Sequence, residues 1–577
     1  MVDTAAVRLG SRPLLLALAL AAVFGLLELP FASFMADDLI QLSVLEGVSP
    51  DRWTGPLELY TISDGEPVHV QAMKDAGAFP WFFDPGFEMA FFRPLSSGLL
   101  ALDHTLFGLQ PLGYRVHGTL WFLLLMLGLG LLLRTAVPGP VGRLALILFA
   151  ISGIHGILCW TATRHIVIAG ALGVLALAAH VHGRQGGWRP GRALAVVGLA
   201  LALTAGEAAV AVMAYLFAYE AISAPGSRRE RLLAALPTAV LLLAYLGLYA
   251  ALGYGSSTAS GYLDPLRDPL GFLVELPPRL TFLLGAMVTG GNADIWVLRP
   301  DLHWAMVIFG ACSLAVGGGL LWASWKGSPP DQRHGARWLF LGAAASALPF
   351  TGSPMGSRCL VVPLMGGSVA IAWVLHRWWT VGRRRSGVAP RANSGACWVL
   401  AVIHLAVAPL QRLAAPPLFQ AMMSTSLATA MDEAELGTMG LQDQTVVVLN
   451  APSLVVGFHA WFYRALEGLP LPRDWRTLSW APGTHRFHRT AADTLELELE
   501  GAGMSAPNLN VGDIIEIRGL RAAVLERGRI GPSRVEFQFD LALEDPAIHL
   551  LAWREGRLQR QAAPPIGETI TLDRLAP

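Results

Sequence analysis

Two adjacent aspartates, Asp37 and Asp38, follow directly on the first long apolar stretch, in the run Phe31-Ala-Ser-Phe-Met-Ala-Asp-Asp-Leu-Ile40. Paired carboxylates where a membrane helix leaves the lipid suit chemistry on a substrate whose reactive group lies at that depth. The pair reads as a general base, a metal ligand, or both. It reads equally as a cap on a surface helix beginning at Leu39, where carboxylates favour the N-terminal dipole.

Four further pieces carry ionisable groups of the same kind. Phe91-Phe-Arg-Pro-Leu-Ser96 sets Arg93 between aromatics and a proline that opens a helix, and the segment ending in His117 follows. The guanidinium fork suits a pair of phosphate oxygens; alternatively Arg93 pairs with a nearby carboxylate. Trp160-Thr-Ala-Thr-Arg-His165 is a tight turn holding Arg164. Gly206-Glu207 puts a carboxylate at a helix break, as a functional group or as a structural partner of Arg164. Ser353-Pro-Met-Gly-Ser-Arg358 places Arg358 at a late turn, as a phosphate ligand or as a snorkelling anchor. His104, His117, His155 and His165 match no compact metal motif. Glu496, Glu498 and Glu500 alternate along one strand face, which reads as solvated.

The elements that must position these groups are membrane helices. The chain has 577 residues, 54% hydrophobic and 15% charged, against about a quarter charged in a soluble domain. We read about 11 spans, at roughly 13–35, 114–134, 143–162, 165–183, 193–206, 207–223, 232–252, 303–324, 336–352, 359–376 and 395–414. The segments 193–206 and 207–223 are also consistent with one bent helix. The first run, Leu14 to Phe34, is too long for a signal-peptide core and reads as a retained anchor. Cys159, Cys312, Cys359 and Cys397 sit in or beside apolar runs, without metal-ligand spacing. No basic stripe interleaved with aromatics points to nucleic acid.

Short basic loops set the orientation. They carry Arg8 and Arg12; Arg134 and Arg143; Arg184, Arg189 and Arg192; Arg228, Arg229 and Arg231; Lys326, Arg333 and Arg337; and Arg377, Arg383, Arg384 and Arg385. With all of these inside, the N-terminus is cytoplasmic and the C-terminus extracytoplasmic. This requires the stretch 270–290, with Glu275, Pro277, Pro278 and Arg279 in its middle, to stay interfacial or re-entrant. The acidic outer loop 36–112, in which Asp51, Arg52 and Asp103 fall, should hold short surface helices.

The expected organisation is therefore a membrane domain over 1–415 and an extracytoplasmic, mostly-β domain over 416–577. In the latter, 445–450 reads as a buried strand, 494–500 and 534–540 as half-buried strands, and 514–518 with 522–526 as a hairpin about Gly519. One helix is expected near 453–467.

Together, Asp37-Asp38 after the first span, Phe92-Arg-Pro-Leu95 with Gly113-Tyr114 and His117, Arg164, Gly206-Glu207 and Arg358 resemble the GT-C superfamily of polytopic membrane glycosyltransferases. The likeness covers roughly 13–414 and is strongest to the protein O-mannosyltransferases and the transmembrane mannosyltransferases carrying tetratricopeptide repeats. Here no such repeat follows, the β-rich tail fits neither relative, and the usual Asp-Glu pair is Asp-Asp. The resemblance implies a hexosyl or pentosyl transferase that takes a sugar from a polyprenyl-phosphate donor on the outer face. The acceptor would be a protein, lipid or glycan. Asp37 and Asp38 would be the catalytic pair, and Arg93, His117, Arg164, Glu207 and Arg358 would bind substrate. Mg²⁺ or Mn²⁺ would suit oxygen ligands, with Asp38 the candidate, but an arginine-clamped monophosphate requires no metal. The implied location is the bacterial inner membrane. The rival classes are a transporter or envelope-assembly scaffold whose β domain binds partners, and another lipid-linked transferase such as a phosphoethanolamine-type enzyme or a polymer ligase.

Overall fold

The computed structural model describes residues 11–50, 53–257, 261–326, 328, 330–381, 388–432, 434, 436, 440–501 and 503–572. Arg8, Asp51, Arg52, Arg383, Arg384 and Arg385 lie outside the described residues. The chain forms two compact units. One comprises Met1–Ser33, Phe92–Tyr254 and Tyr262–Phe419; the other comprises Phe34–Phe91, Gly255–Gly261 and Gln420–Pro577.

The first unit is helical. Among the described residues, seven helices of the chain are long and apolar enough to cross a membrane, or eight if the bent pair Pro140–Ala150 and Gly153–Cys159 is one span. The other expected spans are shorter helices: Pro190–Ala205, Ala208–Ile222, Pro330–Ser346 and Leu364–Thr380. Gly206 is extended and ends the first of these, so 190–222 is two helices. Small residues let the helices approach closely. At Gly128 a Cβ would meet Val174 at 2.6 Å, and at Gly366 it would meet the Leu339 carbonyl oxygen at 2.1 Å.

The stretch expected to be interfacial or re-entrant is a continuous helix, Pro269–Thr289, long and apolar enough to cross a membrane. Pro277 and Pro278 lie inside it without ending it. Its polar centre is satisfied internally: Arg279 pairs with Glu275 one turn earlier at 3.4 Å and donates to the Thr351 carbonyl at 2.9 Å.

The second unit joins the segment after the first helix to the C-terminal tail. Strands β1 (Thr61–Asp64), β2 (Glu88–Ala90) and β3 (Gly255–Ser256) form a small antiparallel sheet. The tail supplies β4 (Thr445–Val448), β5 (Asp474–Thr477), β6 (His485–Ala491), β7 (Thr494–Leu499), β8 (Ile514–Ile517), β9 (Leu520–Arg527), β10 (Pro532–Phe539), β11 (Ile548–Arg554), β12 (Arg557–Arg560) and β13 (Thr569–Leu572). The four-stranded sheet runs β12-β11-β4-β5, with β11, β4 and β5 parallel. The six-stranded sheet runs β13-β6-β7-β10-β9-β8 and is antiparallel.

The expected strands and the hairpin about Gly519 are all present, and the expected helix is Leu454–Leu466, capped by Ser453. That helix joins β4 to β5 and makes the tail partly α/β. Val446, Val447 and Val448 are consecutive apolar residues because both faces of the strand are covered. Val446 and Val448 pack with Val456 and Phe462 of the helix, and Val447 packs with Phe487, Leu497 and Phe537 of the larger sheet.

Candidate functional site

The aspartate pair belongs to the second unit. The helix there is Asp37–Leu45, beginning two residues earlier than expected, so both carboxylates lie in its first turn. Asp38 is 2% exposed and its Oδ2 accepts the Met35 N–H at 3.0 Å. Asp37 is half-buried. Between Met35 and the pair, Ala36 has φ 47 and ψ −115. A non-glycine residue in such a region costs about 1–3 kcal/mol and persists where its surroundings over-determine it. Here the Asp38–Met35 hydrogen bond closes the turn around Ala36. The effect is a locked carboxylate at 38 and a more accessible one at 37.

The arginines lie in the first unit, and their partners differ from the sequence expectation. Arg93 precedes the helix Pro94–Phe107 and Glu207 precedes Ala208–Ile222; their side chains meet, Nε to Oε2, at 2.8 Å. Glu207, weighed above as a partner of Arg164, pairs with Arg93 instead. Its other oxygen accepts from the Tyr249 hydroxyl at 3.4 Å.

Arg164 pairs with Asp103, at 2.5 Å. Asp103 is 1% exposed and also receives His117 Nδ1 at 2.6 Å. His117 Nε2 accepts from the Trp121 indole N–H at 2.9 Å. Both ring nitrogens of His117 are thus engaged within the protein.

Arg358 is half-buried in a 3-10 turn and donates to the Pro354 carbonyl at 3.0 Å. The charges of Arg93 and Arg358 both act on His165, and a Cβ at Gly206 would meet the His165 ring at 3.0 Å. Arg93, Glu207, His165 and Arg358 therefore share one neighbourhood at one end of the helical unit. Beside Arg358, Ser357 Oγ donates to Asp294 at 2.8 Å and ties the turn to the loop after Pro269–Thr289.

Sequence reasoning placed Asp103 among the acidic residues of a loop, without a role. Its signal was a lone carboxylate inside the apolar pattern Leu-Leu-Ala-Leu-Asp of a helix. It also gave no role to Glu28, Arg115 and Arg412. Glu28, the one carboxylate at the end of the first apolar helix, was the available signal.

The steps proposed for this protein are derived without a metal. Asp38 already holds the Met35 N–H, and no group of three or more His, Cys, Asp or Glu side chains that could hold an ion occurs among the described residues. Cys159, Cys359 and Cys397 are buried, Cys312 is exposed on its helix, and none of the four is in a disulfide.

No protein-family model and no curated protein matches the chain. The solved structures to which it is similar are GT-C fold glycosyltransferases. The arabinofuranosyltransferase AftD from Mycobacteria is 16% identical with a TM-score of 0.41, covering 81% of this chain and 33% of that one. ArnT from Cupriavidus metallidurans bound to undecaprenyl phosphate is 13% identical with a TM-score of 0.39, covering 92% and 98%. An Archaeoglobus fulgidus oligosaccharyltransferase tethered with an acceptor peptide is 13% identical with a TM-score of 0.38, covering 80% and 64%. At such identities and scores, function has to be argued from this chain's own residues.

Proposed function

We propose that this multi-pass membrane protein is a glycosyltransferase that moves a sugar from a polyprenyl-phosphate donor to an acceptor hydroxyl on the extracytoplasmic face. The observation that carries the reading is the turn Met35-Ala36-Asp37-Asp38. Its strained residue and fixed Asp38 present Asp37 immediately after the first span.

The donor's lipid tail stays in the bilayer and its phosphate stays at the interface, which puts the anomeric carbon at the depth where that span ends. Asp37 accepts the proton of the acceptor hydroxyl. The hydroxyl oxygen bonds to the anomeric carbon as the bond from that carbon to the phosphate oxygen breaks, through an oxocarbenium-like state. The electron pair leaves with the polyprenyl phosphate. Arg358, the more accessible guanidinium, stabilises that developing charge, with Arg93 second. Arg164, held on Asp103 and 5% exposed, positions the surrounding turn. The groups assigned here, Asp37, Arg93, Arg164, Glu207 and Arg358, lie at or beside helix ends, which favours interfacial chemistry over transport.

The test is to incubate the purified protein with a panel of radiolabelled polyprenyl-phosphate sugars and follow label leaving the lipid. Release that Asp37→Asn abolishes supports the reading. Label retained on every donor would return the chain to the transporter or scaffold class.

A further inference from the structure

The first unit contains a partly open cavity of ≈ 30 Å³ that the proposed reaction does not use. Its walls include Glu28, Arg115, Arg164 and Arg412. At roughly 10–15 Å³ for each enclosed water, it has room for about two waters or one small ion.

The charges around it do not balance. Arg115, Arg164 and Arg412 are 8%, 5% and 3% exposed. Among the described residues, two carboxylates are paired with these three: Asp103, committed to Arg164, and Glu28. Glu28 lies 3.2 Å from Arg412 and 4.0 Å from Arg115, so one carboxylate is shared loosely between two guanidinium groups.

Two donors of Arg115 and one of Arg412 are aimed at backbone. Arg115 donates to the carbonyls of Leu158 and Cys159, each at 2.7 Å, and Arg412 donates to the Ala150 carbonyl. Carbonyls satisfy N–H groups but do not neutralise a charge. The helices Pro111–Ala136 and Arg164–Gly186 begin here, so both present the positive ends of their dipoles. A buried, uncompensated positive charge is strongly unfavourable, and an anion relieves it.

We propose that this cavity binds one small monovalent anion of the chloride class, held by Arg115 and Arg412, the latter fixed in place by the Phe24 and Phe122 rings, which lie 4.7 and 4.9 Å from its guanidinium. Arg164 is the wall shared with the Asp103–His117 pair, so occupancy also holds the neighbouring turn in place. This site stands independently of the glycosyltransferase reading.

The test compares thermal unfolding of the purified full-length protein in sodium chloride and in sodium gluconate at equal ionic strength. A saturable rise of about 2–4 °C in chloride is expected, with the chloride response lost in Arg412→Gln and weakened in Arg115→Lys. Should those variants fail to fold, the wild-type protein with bromide replacing chloride decides, by an anomalous peak inside the cavity. Equal melting in both salts, an empty cavity in bromide, or stabilisation by inorganic phosphate where chloride has no effect would each overturn the assignment.

Discussion

Arg93 and Glu207 meet at 2.8 Å, and each stands at the beginning of its own helix. One ion pair thus pins two helix starts together, and the Tyr249 hydroxyl adds a third element. The pair is partly exposed, at 10% and 31% of the side chains. Removing one partner is expected to cost about 1–3 kcal/mol, from an unsatisfied charged hydrogen bond in a partly screened setting. A double-mutant cycle with Arg93→Met and Glu207→Gln, read by thermal unfolding in detergent, measures the coupling. Additive losses would show that the two side chains act separately.

Asp37 and Asp38 should separate by phenotype. Asp37→Asn is expected to lower transfer by roughly 10²–10⁴-fold, the usual range for a general base, with unfolding temperature nearly unchanged. Asp38→Ala removes the acceptor of a buried backbone N–H, and a loss of about 1–3 kcal/mol is expected. Asp38→Asn retains an acceptor oxygen and should lose less stability than Asp38→Ala. Equal transfer rates in wild type and Asp37→Asn would remove the proposed base.

Asp103→Ala leaves Arg164 buried without its carboxylate and frees His117 Nδ1. A loss of about 3–5 kcal/mol is expected, measured as a drop in unfolding temperature and in the yield of monodisperse protein. The conservative Asp103→Asn should recover part of that loss. An Asp103→Ala protein as stable as wild type would show that Arg164 finds another partner.

Donor use should depend on the late turn. Arg358→Ala is expected to raise KM for the lipid-linked donor and to lower kcat, because the phosphate carries more charge as the glycosidic bond breaks. Arg358→Lys keeps a charge without the fork and should fall between the two. Unchanged donor kinetics in Arg358→Ala would move the phosphate contact elsewhere.

The second unit should lose stability in acid. Burial pushes the imidazoles of His459 and His485 down to about 4. The unfolded chain therefore binds more protons than the folded one between pH 4 and 6.5, and stability rises with pH across that window. Each histidine contributes at most on the order of 3 kcal/mol to the difference. Burial likewise lowers Lys74 to about 8, against weaker raising by Asp84 and Asp75, so a second rise is expected between about pH 8 and 10.5. Unfolding midpoints across pH, in His459→Gln, His485→Gln and Lys74→Met proteins, check the assignment. A wild-type profile flat from pH 4 to 6.5 would contradict it.

Much of the architecture was legible because it rests on local periodicity. Strict alternation in Thr494–Leu499 and the glycine of positive φ between β8 and β9 fix strands and a turn through neighbouring residues alone. Pairings that join distant segments were not legible. Nothing local distinguishes Arg93 from Arg164 as the partner of Glu207, because both lie at helix starts and only the packing chooses. The parallel match of β4 with β11 joins residue 445 to residue 548, so the apolar run announced a buried strand but not its neighbours. The continuity of the helix Pro269–Thr289 was not legible for a different reason. A double proline beside a charged pair reads as a break, yet each ion there has a partner one turn away or on the loop 351–353.

The composition of the second unit sets an order on biosynthesis. Its core joins Leu39, Val70 and Phe79 from an early stretch to Val446, Trp475 and Leu551 from the last. Ribosomes release the early stretch long before its packing partners exist. For most of translation those apolar groups must wait exposed, a natural client for a holding chaperone. A stop codon just after Phe419 would therefore spare the helical bundle's own residues yet strand residues 34–91 without a core.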